Sequence, residues 1–291
     1  MGYPKQLRLK RHETFSIREG WLEKAINTIK EDTTCLSKDN GPKMLGLGTN
    51  MIKSLRYWLS ACGIVYFDSK GTHITELGDM LYKYDPFLDD AFSLWMIHTT
   101  LVSNFEDAPV MNRIFNIPYN RFEKTYMVNL CKELFEEKGY EVKSLSSLDS
   151  DVSIMLKSYY SDDFSSPENN MSCPLAKLGL LSLSSNKEYV KEAPAVNSLD
   201  FRVVYYALVR CLICNDINIS DEVSFNIEDL IKMEDNPMTL LNLSRSAFFL
   251  YLDEMKRKGF IEFAKTAGLN IVRIECVKSI SDLFTSYYEE V

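Results

Sequence analysis

The clearest pattern of hydrophobic and polar positions lies over residues 45–61, where a turn broken by two glycines leads into an amphipathic segment. Its apolar side chains recur at helical spacing and predict the buried stripe of a helix over about 50–61, formed by Met51, Ile52, Leu55, Trp58 and Leu59. The polar residues off this stripe are Asn50, Lys53, Ser54, Arg56 and Tyr57. Side chains of these types hydrogen-bond phosphates and base edges, so the segment is a candidate DNA-recognition helix.

The segments around this helix have the order of a winged helix-turn-helix. Ser16 and Glu19 have the spacing of a capping box and predict a helix from near Ile17 to near Lys30. A short helix and a turn over 44–48 come before the candidate recognition helix. Strands over 64–67 and 72–74, joined by a turn over 68–71, predict a hairpin after it. Thr75 is placed to cap a further helix that runs to about residue 84.

The rest of the chain predicts a helical middle and a second unit of the first kind. An apolar helix is predicted over 91–102 and an amphipathic helix over 120–138, and 161–171 is the best linker candidate. Helices over 199–214, 226–233 and 244–258 then precede strands over 260–264 and 270–274. We therefore predict a mostly α (α+β) fold: an N-terminal winged helix-turn-helix domain over 1–85, a helical middle region over 86–195 and a C-terminal winged-helix-like domain over 196–291.

Charge is unevenly distributed between the two ends of the chain. The net charge of −8 argues against a polyanionic partner, but residues 1–70 hold 12 Lys and Arg against 7 Asp and Glu, whereas residues 71–291 hold 21 against 34. Affinity for a polyanion depends on the local patch, so the first segment suits double-stranded DNA. Its basic N-terminal arm, residues 1–14, carries Arg8, Lys10 and Arg11, and Lys70 lies in the hairpin turn. We add these four to the predicted DNA contacts.

The same residues have structural interpretations that stay open at this stage. The winged helix also fits a docking unit for proteins, and Arg56 is spaced to pair with an acidic neighbour such as Asp68. His98 lies in an apolar helix and fits a hydrogen-bonded core histidine better than a ligand. Cys211 and Cys214 form the one CxxC pair, and core packing is favoured over a zinc site. A zinc ion would need two further ligands, and the only histidines are His12, His73 and His98. We expect no metal and no other cofactor.

The composition and the distribution of apolar residues indicate the cellular compartment. No apolar run approaches the roughly 20 residues of a membrane span. The basic N-terminus is not followed by the apolar segment of a signal peptide. Seven scattered cysteines suit a reducing environment better than a disulfide framework. We expect a cytoplasmic protein without a membrane partner.

Several ordered blocks of the sequence resemble one uncharacterised bacterial family. They are residues 12–22, the run 45–59, the block Leu94-Trp95-Met96-Ile97-His98 and the later block 173–180. Together they resemble the family known as domain of unknown function 4007. Its members occur beside cysteine desulfurases and sulfotransferase-like or phosphosulfate-reductase-like proteins, in gene clusters linked to DNA sulfur modification and phage defence. The resemblance implies a DNA-facing accessory role, and it assigns no catalytic mechanism.

Three functional hypotheses follow from the sequence. The first is a DNA-binding accessory protein of a defence or DNA sulfur-modification system, which is not an enzyme. The second is an adaptor for sulfur-transfer or defence enzymes that makes no contact with DNA. The third is a hydrolase built around His12, Glu13 and His98, which requires these three side chains to converge in one pocket. Winged helices often pair, so a homodimer is compatible with the sequence, which does not fix the oligomeric state.

Overall fold

The computed structural model describes residues 5–37, 39–160, 173–195, 198–220, 222–266 and 269–290. Within them lie the helices α1 (Trp21–Glu31), α2 (Gly41–Leu45), α3 (Thr49–Ala61), α4 (Glu76–Tyr84), α5 (Ala91–Val102), α6 (Pro109–Asn116), α7 (Lys124–Glu137), α8 (Leu145–Tyr159), α9 (Phe201–Cys214), α10 (Ile227–Leu230), α11 (Pro237–Leu240), α12 (Arg245–Arg257) and α13 (Ile280–Glu290). The strands are β1 (Lys5–Gln6), β2 (Val65–Asp68), β3 (Gly71–Ile74), β4 (Arg121–Phe122), β5 (Tyr140–Glu141), β6 (Leu181–Leu183), β7 (Tyr189–Lys191), β8 (Val223–Asn226), β9 (Glu262–Thr266) and β10 (Leu269–Ile274). Helices combined with small sheets make this an α+β fold, as predicted.

Residues 21–84 form three helices, a hairpin and a fourth helix, in the predicted order. Helix α3 follows Gly48, whose extended backbone supplies the N-cap. Asp68 closes the hairpin turn, because its carboxylate accepts the backbone N–H groups two and three residues further on, at 2.7 and 3.1 Å. Thr75 caps α4 as predicted, and its hydroxyl accepts the N–H of Gly78 at 3.1 Å. These local signals fix the hairpin and both of its flanking helices.

Helix α1 begins later than the capping-box spacing predicts. It starts at Trp21, and the preceding Gly20 has a φ of 75°, a left-handed conformation that separates the helix from the residues before it. The predicted start near Ile17 is therefore wrong, since Gly20 and not Ser16 is the N-cap residue. The chain before Gly20 makes a turn of its own, in which the N–H of Phe15 donates to the carbonyl of residue 12 at 2.9 Å.

The middle of the chain is helical with one small sheet. Helix α5 has the predicted bounds, and all of its residues after Ala91 are buried. Helix α7 begins at Lys124 and not at the predicted residue 120, because β4 pairs with β7 in an antiparallel sheet of order β4-β7-β6. The sequence pattern did not predict this sheet. The predicted linker over 161–171 lies outside the described residues.

The last third combines helices with an antiparallel sheet of order β8-β10-β9. Ser244 caps α12 as predicted, since its hydroxyl accepts the N–H of Ala247 at 3.2 Å. The helix ends before Gly259, which has a φ of 73°. Strand β8 was not predicted, and α10 is shorter than the predicted segment 226–233. Residues 267 and 268 of the predicted turn between the last two strands lie outside the described residues.

Buried residues from all three predicted segments form one hydrophobic cluster. Hydrogen bonds also join these segments. The indole N–H of Trp95, in the middle segment, donates to the carbonyl of Ser198, in the C-terminal segment, at 3.1 Å. Tyr84 of α4 stacks on Tyr288 of α13 with ring centroids 4.9 Å apart. The three-domain division stays a prediction from sequence. In the described part of the chain, every helix is too short or too polar to cross a bilayer.

Candidate nucleic-acid interface

Helix α3 presents the beginning of its predicted contact face to solvent. Asn50 and Lys53 are exposed, as is Thr49 at the first helical position. The Lys53 ammonium nitrogen lies 3.4 Å from the side-chain oxygen of Asn50 and 3.2 Å from a carboxylate oxygen of Glu13. The first turn of α3 therefore offers an amide and an ammonium at the surface, with one carboxylate beside them.

Ser54 and Tyr57 do not lie on an exposed face, and this part of the prediction is wrong. Ser54 is fully buried, and its hydroxyl donates to the carbonyl of Phe15 at 3.4 Å. Tyr57 is 8% exposed, and the Arg11 guanidinium lies 5.3 Å from its ring centroid. Burial raises the pKa of the Tyr57 hydroxyl. Residues 11–15 cross this side of α3, so in this conformation both side chains are packing positions and are not available to DNA.

Arg56 is half-buried and joins neighbouring segments to α3. Its guanidinium donates to the carbonyl of Leu36 at 2.8 Å and lies 4.3 Å from the ring centroid of Phe67. Burial lowers the pKa of this guanidinium. Asp68, the alternative partner, instead accepts from the ring of His73. Arg56 therefore has a structural role alongside its predicted contact with DNA.

The basic arm is packed against the middle of the chain. The backbone N–H of Lys10 donates to both carboxylate oxygens of Asp151, at 2.9 and 3.1 Å, and Arg11 forms an ion pair with Asp107. Strand β1 pairs in parallel with β5. The side chains of Arg8 and Lys10 remain exposed, whereas that of Arg11 is partly buried. Residues 1–4 of the predicted arm lie outside the described residues.

The hairpin carries Lys70 at its exposed tip. Behind the tip, Tyr66 is 53% exposed and stacks on His73 with ring centroids 4.9 Å apart. The Nε2 atom of His73 lies 2.9 Å from a carboxylate oxygen of Asp68. Hydrogen bonds from His73 and from the backbone of the turn hold the pKa of Asp68 below its ordinary value. The hairpin therefore supplies one cation together with a fixed aromatic surface.

His12 and His98 have separate sets of partners. The N–H of Thr14 donates to Nδ1 of His12 at 3.2 Å, so Nε2 carries the proton that is donated to Asp151 at 2.7 Å. His98 donates from Nε2 to the carbonyl of Leu240 at 2.8 Å, and its Nδ1 accepts the hydroxyl of Tyr159 at 2.7 Å.

Burial lowers the pKa of His98 to about 4, so its ring is neutral at physiological pH. It is a hydrogen-bonded core histidine, as expected. Glu13, the third residue of the hydrolase hypothesis, lies beside Lys53 and not in the surroundings of His98.

The candidate metal ligands are dispersed. Of the CxxC pair, Cys211 is buried and Cys214 is exposed. Among the residues that the structure describes, no group of three or more His, Cys, Asp and Glu side chains is placed to hold a metal ion.

A cleft of about 380 Å³ adjoins the first two turns of α3. It is lined by Ser37, Thr49, Ile52, Lys53 and Arg56. Ser37 and Thr49 were not among the predicted contacts. The predicted helix began at about residue 50 and so excluded Thr49, although Thr49 lies four residues before Lys53 and therefore on the same side of α3.

Two solved structures share this fold over nearly the whole chain. The first, a magnesium ion-bound SspB crystal structure, has a TM-score of 0.81 at 21% identity and covers 99% of this chain and 88% of the other. The second, an SspB crystal structure, has a TM-score of 0.78 at 22% identity and covers 98% and 87% respectively. Likeness at this identity concerns the fold alone.

No curated protein matches the sequence. A family model does match it, over residues 9–288, and its description is a protein of unknown function, DUF4007. The match spans nearly the whole chain and includes the blocks from which the resemblance was drawn. The chain therefore belongs to the DUF4007 family.

Proposed function

We propose that this protein is a DNA-binding accessory protein of a bacterial defence or DNA sulfur-modification system. In this proposal residues 21–84 act as a winged helix-turn-helix, with α3 as the recognition helix and the β2–β3 hairpin as the wing. The DUF4007 resemblance supports the biological setting, because family members are found beside sulfur-transfer proteins in such gene clusters. No catalytic role is proposed.

The observation that carries the proposal is the exposed first turn of α3 in a locally basic segment. Asn50 and Lys53 lie at the surface there, and recognition helices contact base edges with their N-terminal residues. Lys70 lies at the tip of the following hairpin, where wings meet the DNA backbone. Arg8 and Lys10 add exposed cations on the arm that crosses α3. These five side chains are the contacts that we propose.

We also propose that the C-terminal segment is a second winged helix, with α12 in the place of the recognition helix. On its hairpin the one arginine is already paired, because the Arg273 guanidinium is surrounded by Glu222 at 2.6 Å, Glu262 at 3.3 Å and Glu275 at 3.8 Å. On α12, Leu250 is 71% exposed. Three carboxylates around Arg273 weaken its attraction for phosphate, and an exposed leucine suits an apolar contact. These features favour a protein and not DNA as the partner of this unit.

Fluorescence anisotropy across a salt series tests the DNA proposal, with plain and phosphorothioated duplexes. Lys53→Ala is expected to lower affinity and to reduce the slope of log K against log salt by about one unit, because one phosphate contact is lost. Lys232→Ala, a change at an exposed lysine of the C-terminal segment, is the matched control. Arg56→Ala is less informative, since it also removes the contacts to Leu36 and Phe67. An unchanged affinity and slope in Lys53→Ala contradicts the assignment of this face.

The alternative function is an adaptor that binds partner enzymes without DNA. The excess of acidic residues over 71–291 and the exposed Leu250 on α12 favour it. Absence of binding to either duplex at low salt, together with recovery of a sulfur-transfer protein in a pull-down from nuclease-treated lysate, would support this alternative. Tight binding with a steep salt dependence supports the DNA reader.

A further inference from the structure

The cleft beside the first two turns of α3 supports an inference about which base the protein reads. Three of its lining residues, Thr49, Lys53 and Arg56, follow one another at helical spacing. The cleft therefore runs along the same side of α3 as the exposed ammonium of Lys53. This is the side that the proposed function turns toward DNA, and the inference rests on that function.

The inside of the cleft is almost entirely apolar. Ile52, which is 2% exposed, forms its floor. Gly41 packs directly against Ile52, since a Cβ at Gly41 would lie 2.8 Å from Cγ2 of that isoleucine. The guanidinium of Arg56 is turned to Leu36 and Phe67, so the cleft is left with the aliphatic part of the arginine side chain. The floor is therefore fixed by packing and does not depend on a ligand.

The rim of the cleft has the opposite character. Lys53 carries an ammonium there, 3.2 Å from Glu13. An apolar floor beneath a cationic rim suits an anionic ligand that also presents an apolar group. DNA in the major groove meets this description at one base, because thymine alone among the four bases presents a methyl group there.

We propose that this cleft reads the 5-methyl group of thymine, and that Thr49 is the residue that determines this preference. Thr49 is the first residue of α3 and lines the cleft. Because the inner surface of the cleft is almost entirely apolar, we assign the methyl group of Thr49, and not its hydroxyl, to the cleft wall. Apolar contact between a threonine methyl and the thymine methyl is an established form of base readout. The cleft is larger than a methyl group, so the edge of the pyrimidine enters with it. Lys53 then lies beside the phosphate backbone of the same site.

The test compares an alternating A·T duplex with the same duplex in which deoxyuridine replaces thymidine. The two differ only in the methyl group. The native protein is expected to bind the thymidine duplex about three- to fivefold more tightly, the effect of burying about one methyl group. Thr49→Ser keeps the hydroxyl but removes the methyl from the cleft wall, so it is expected to lose most of this preference. Thr125→Ser, at an exposed threonine in the first turn of α7, is the matched control and keeps the preference.

Each outcome decides between the inference and the function on which it rests. Equal binding of the two duplexes by the native protein overturns thymine reading and leaves DNA binding intact. A preference that Thr49→Ser retains in full comes from the shape of the duplex, and it overturns the role of the cleft. Binding to neither duplex at low salt overturns the proposed function itself. Tighter binding to a G·C duplex after methylation of cytosine at C5 supports the reading of a methyl group.

Discussion

At the scale of single residues, the main feature of the candidate interface is a lysine that already has an acidic partner. The ammonium of Lys53 and the carboxylate of Glu13 lie 3.2 Å apart, with side chains 52% and 33% exposed. Water and salt weaken a pair with this exposure, so a phosphate can replace the carboxylate. Glu13 has a left-handed backbone, with a φ of 54°, and it follows His12, which is bound to Asp151. The carboxylate is therefore held close to the site that DNA would occupy.

This arrangement predicts that Glu13→Gln strengthens DNA binding. Removal of the charge frees Lys53 and ends the repulsion between Glu13 and an approaching phosphate. The affinity for duplex DNA is expected to rise about two- to fivefold at low salt, with a smaller gain as salt increases. Anisotropy titrations measure the change. Glu19→Gln is the control, because it removes the same charge from a carboxylate that pairs with Lys177 and not with Lys53. An affinity that is unchanged or lower in Glu13→Gln contradicts the proposed position of DNA on α3.

At the scale of elements, the bounds of α3 follow from its own sequence. The part of its surface that is exposed depends instead on the N-terminal arm and the residues directly after it. The indole N–H of Trp58 donates to the carbonyl of Phe15 at 2.9 Å, and the ring of His12 stacks on the same indole with centroids 6.4 Å apart. The arm is fastened in turn to Asp151 of α8 and to Asp107 before α6. The face of α3 that is available to a ligand therefore depends on whether these two carboxylates retain the arm.

The prediction at this scale is that Asp151→Asn loosens the arm. Asp151 accepts the N–H of Lys10 and the Nε2–H of His12 through the same oxygen, Oδ1, and the N–H of Lys10 also reaches Oδ2. Asparagine keeps one of these oxygens but removes the negative charge that strengthens the bonds. Weakening of these bonds is expected to favour opening by about 1–2 kcal/mol. Trypsin cleavage after Arg8, Lys10 and Arg11 follows the open population, so its rate is expected to rise about five- to thirtyfold.

Asp149→Asn is the matched control for the arm, because Asp149 lies on the same helix and pairs with Lys124. Equal cleavage rates in the native protein and in Asp151→Asn would show that other contacts retain the arm.

The elements that the sequence predicted correctly depend on short-range signals. The bounds of α3 and α5, the hairpin turn at Asp68 and the cap at Thr75 all follow from residues within a few positions of one another. The exposure of Ser54 and Tyr57 was predicted wrongly for the opposite reason. It is decided by residues 11–15 and by Asp151, and the bond from His12 to that carboxylate joins positions 139 residues apart. Periodicity within one helix contains no information about such partners.

At the scale of the whole molecule, buried hydrogen bonds connect the predicted segments. His98 of α5 joins Tyr159 of α8 to Leu240 of α11, with both ring nitrogens satisfied. Arg113 of α6, which is 4% exposed, donates to Glu234 at 3.1 Å through two of its nitrogens. Because these bonds and the shared hydrophobic cluster cross the predicted boundaries, we expect the state of His98 to affect the unfolding of the whole chain and not of one segment.

The pH dependence of unfolding tests this expectation. Burial lowers the pKa of His98 to about 4 in the folded protein, whereas an unfolded histidine titrates near about 6.5. The unfolded chain therefore takes up the proton first as the pH falls, and the free energy of unfolding decreases between about pH 6.5 and 4. From about pH 7.5 to 5 the loss due to this group is expected to be about 2 kcal/mol, measured by urea unfolding.

His98→Gln provides the comparison that isolates this group, because an amide can donate to the carbonyl of Leu240 and accept from Tyr159 without titrating. A packing defect in this variant lowers its free energy of unfolding at both pH values. The comparison therefore uses the difference in free energy of unfolding between the two pH values. That difference is expected to be about 2 kcal/mol smaller in His98→Gln than in the native protein. His73→Gln, which removes an imidazole from the surface of the hairpin, is the control. If the native protein and His98→Gln lose the same free energy on acidification, carboxylates and not this buried ring determine the acid sensitivity of the fold.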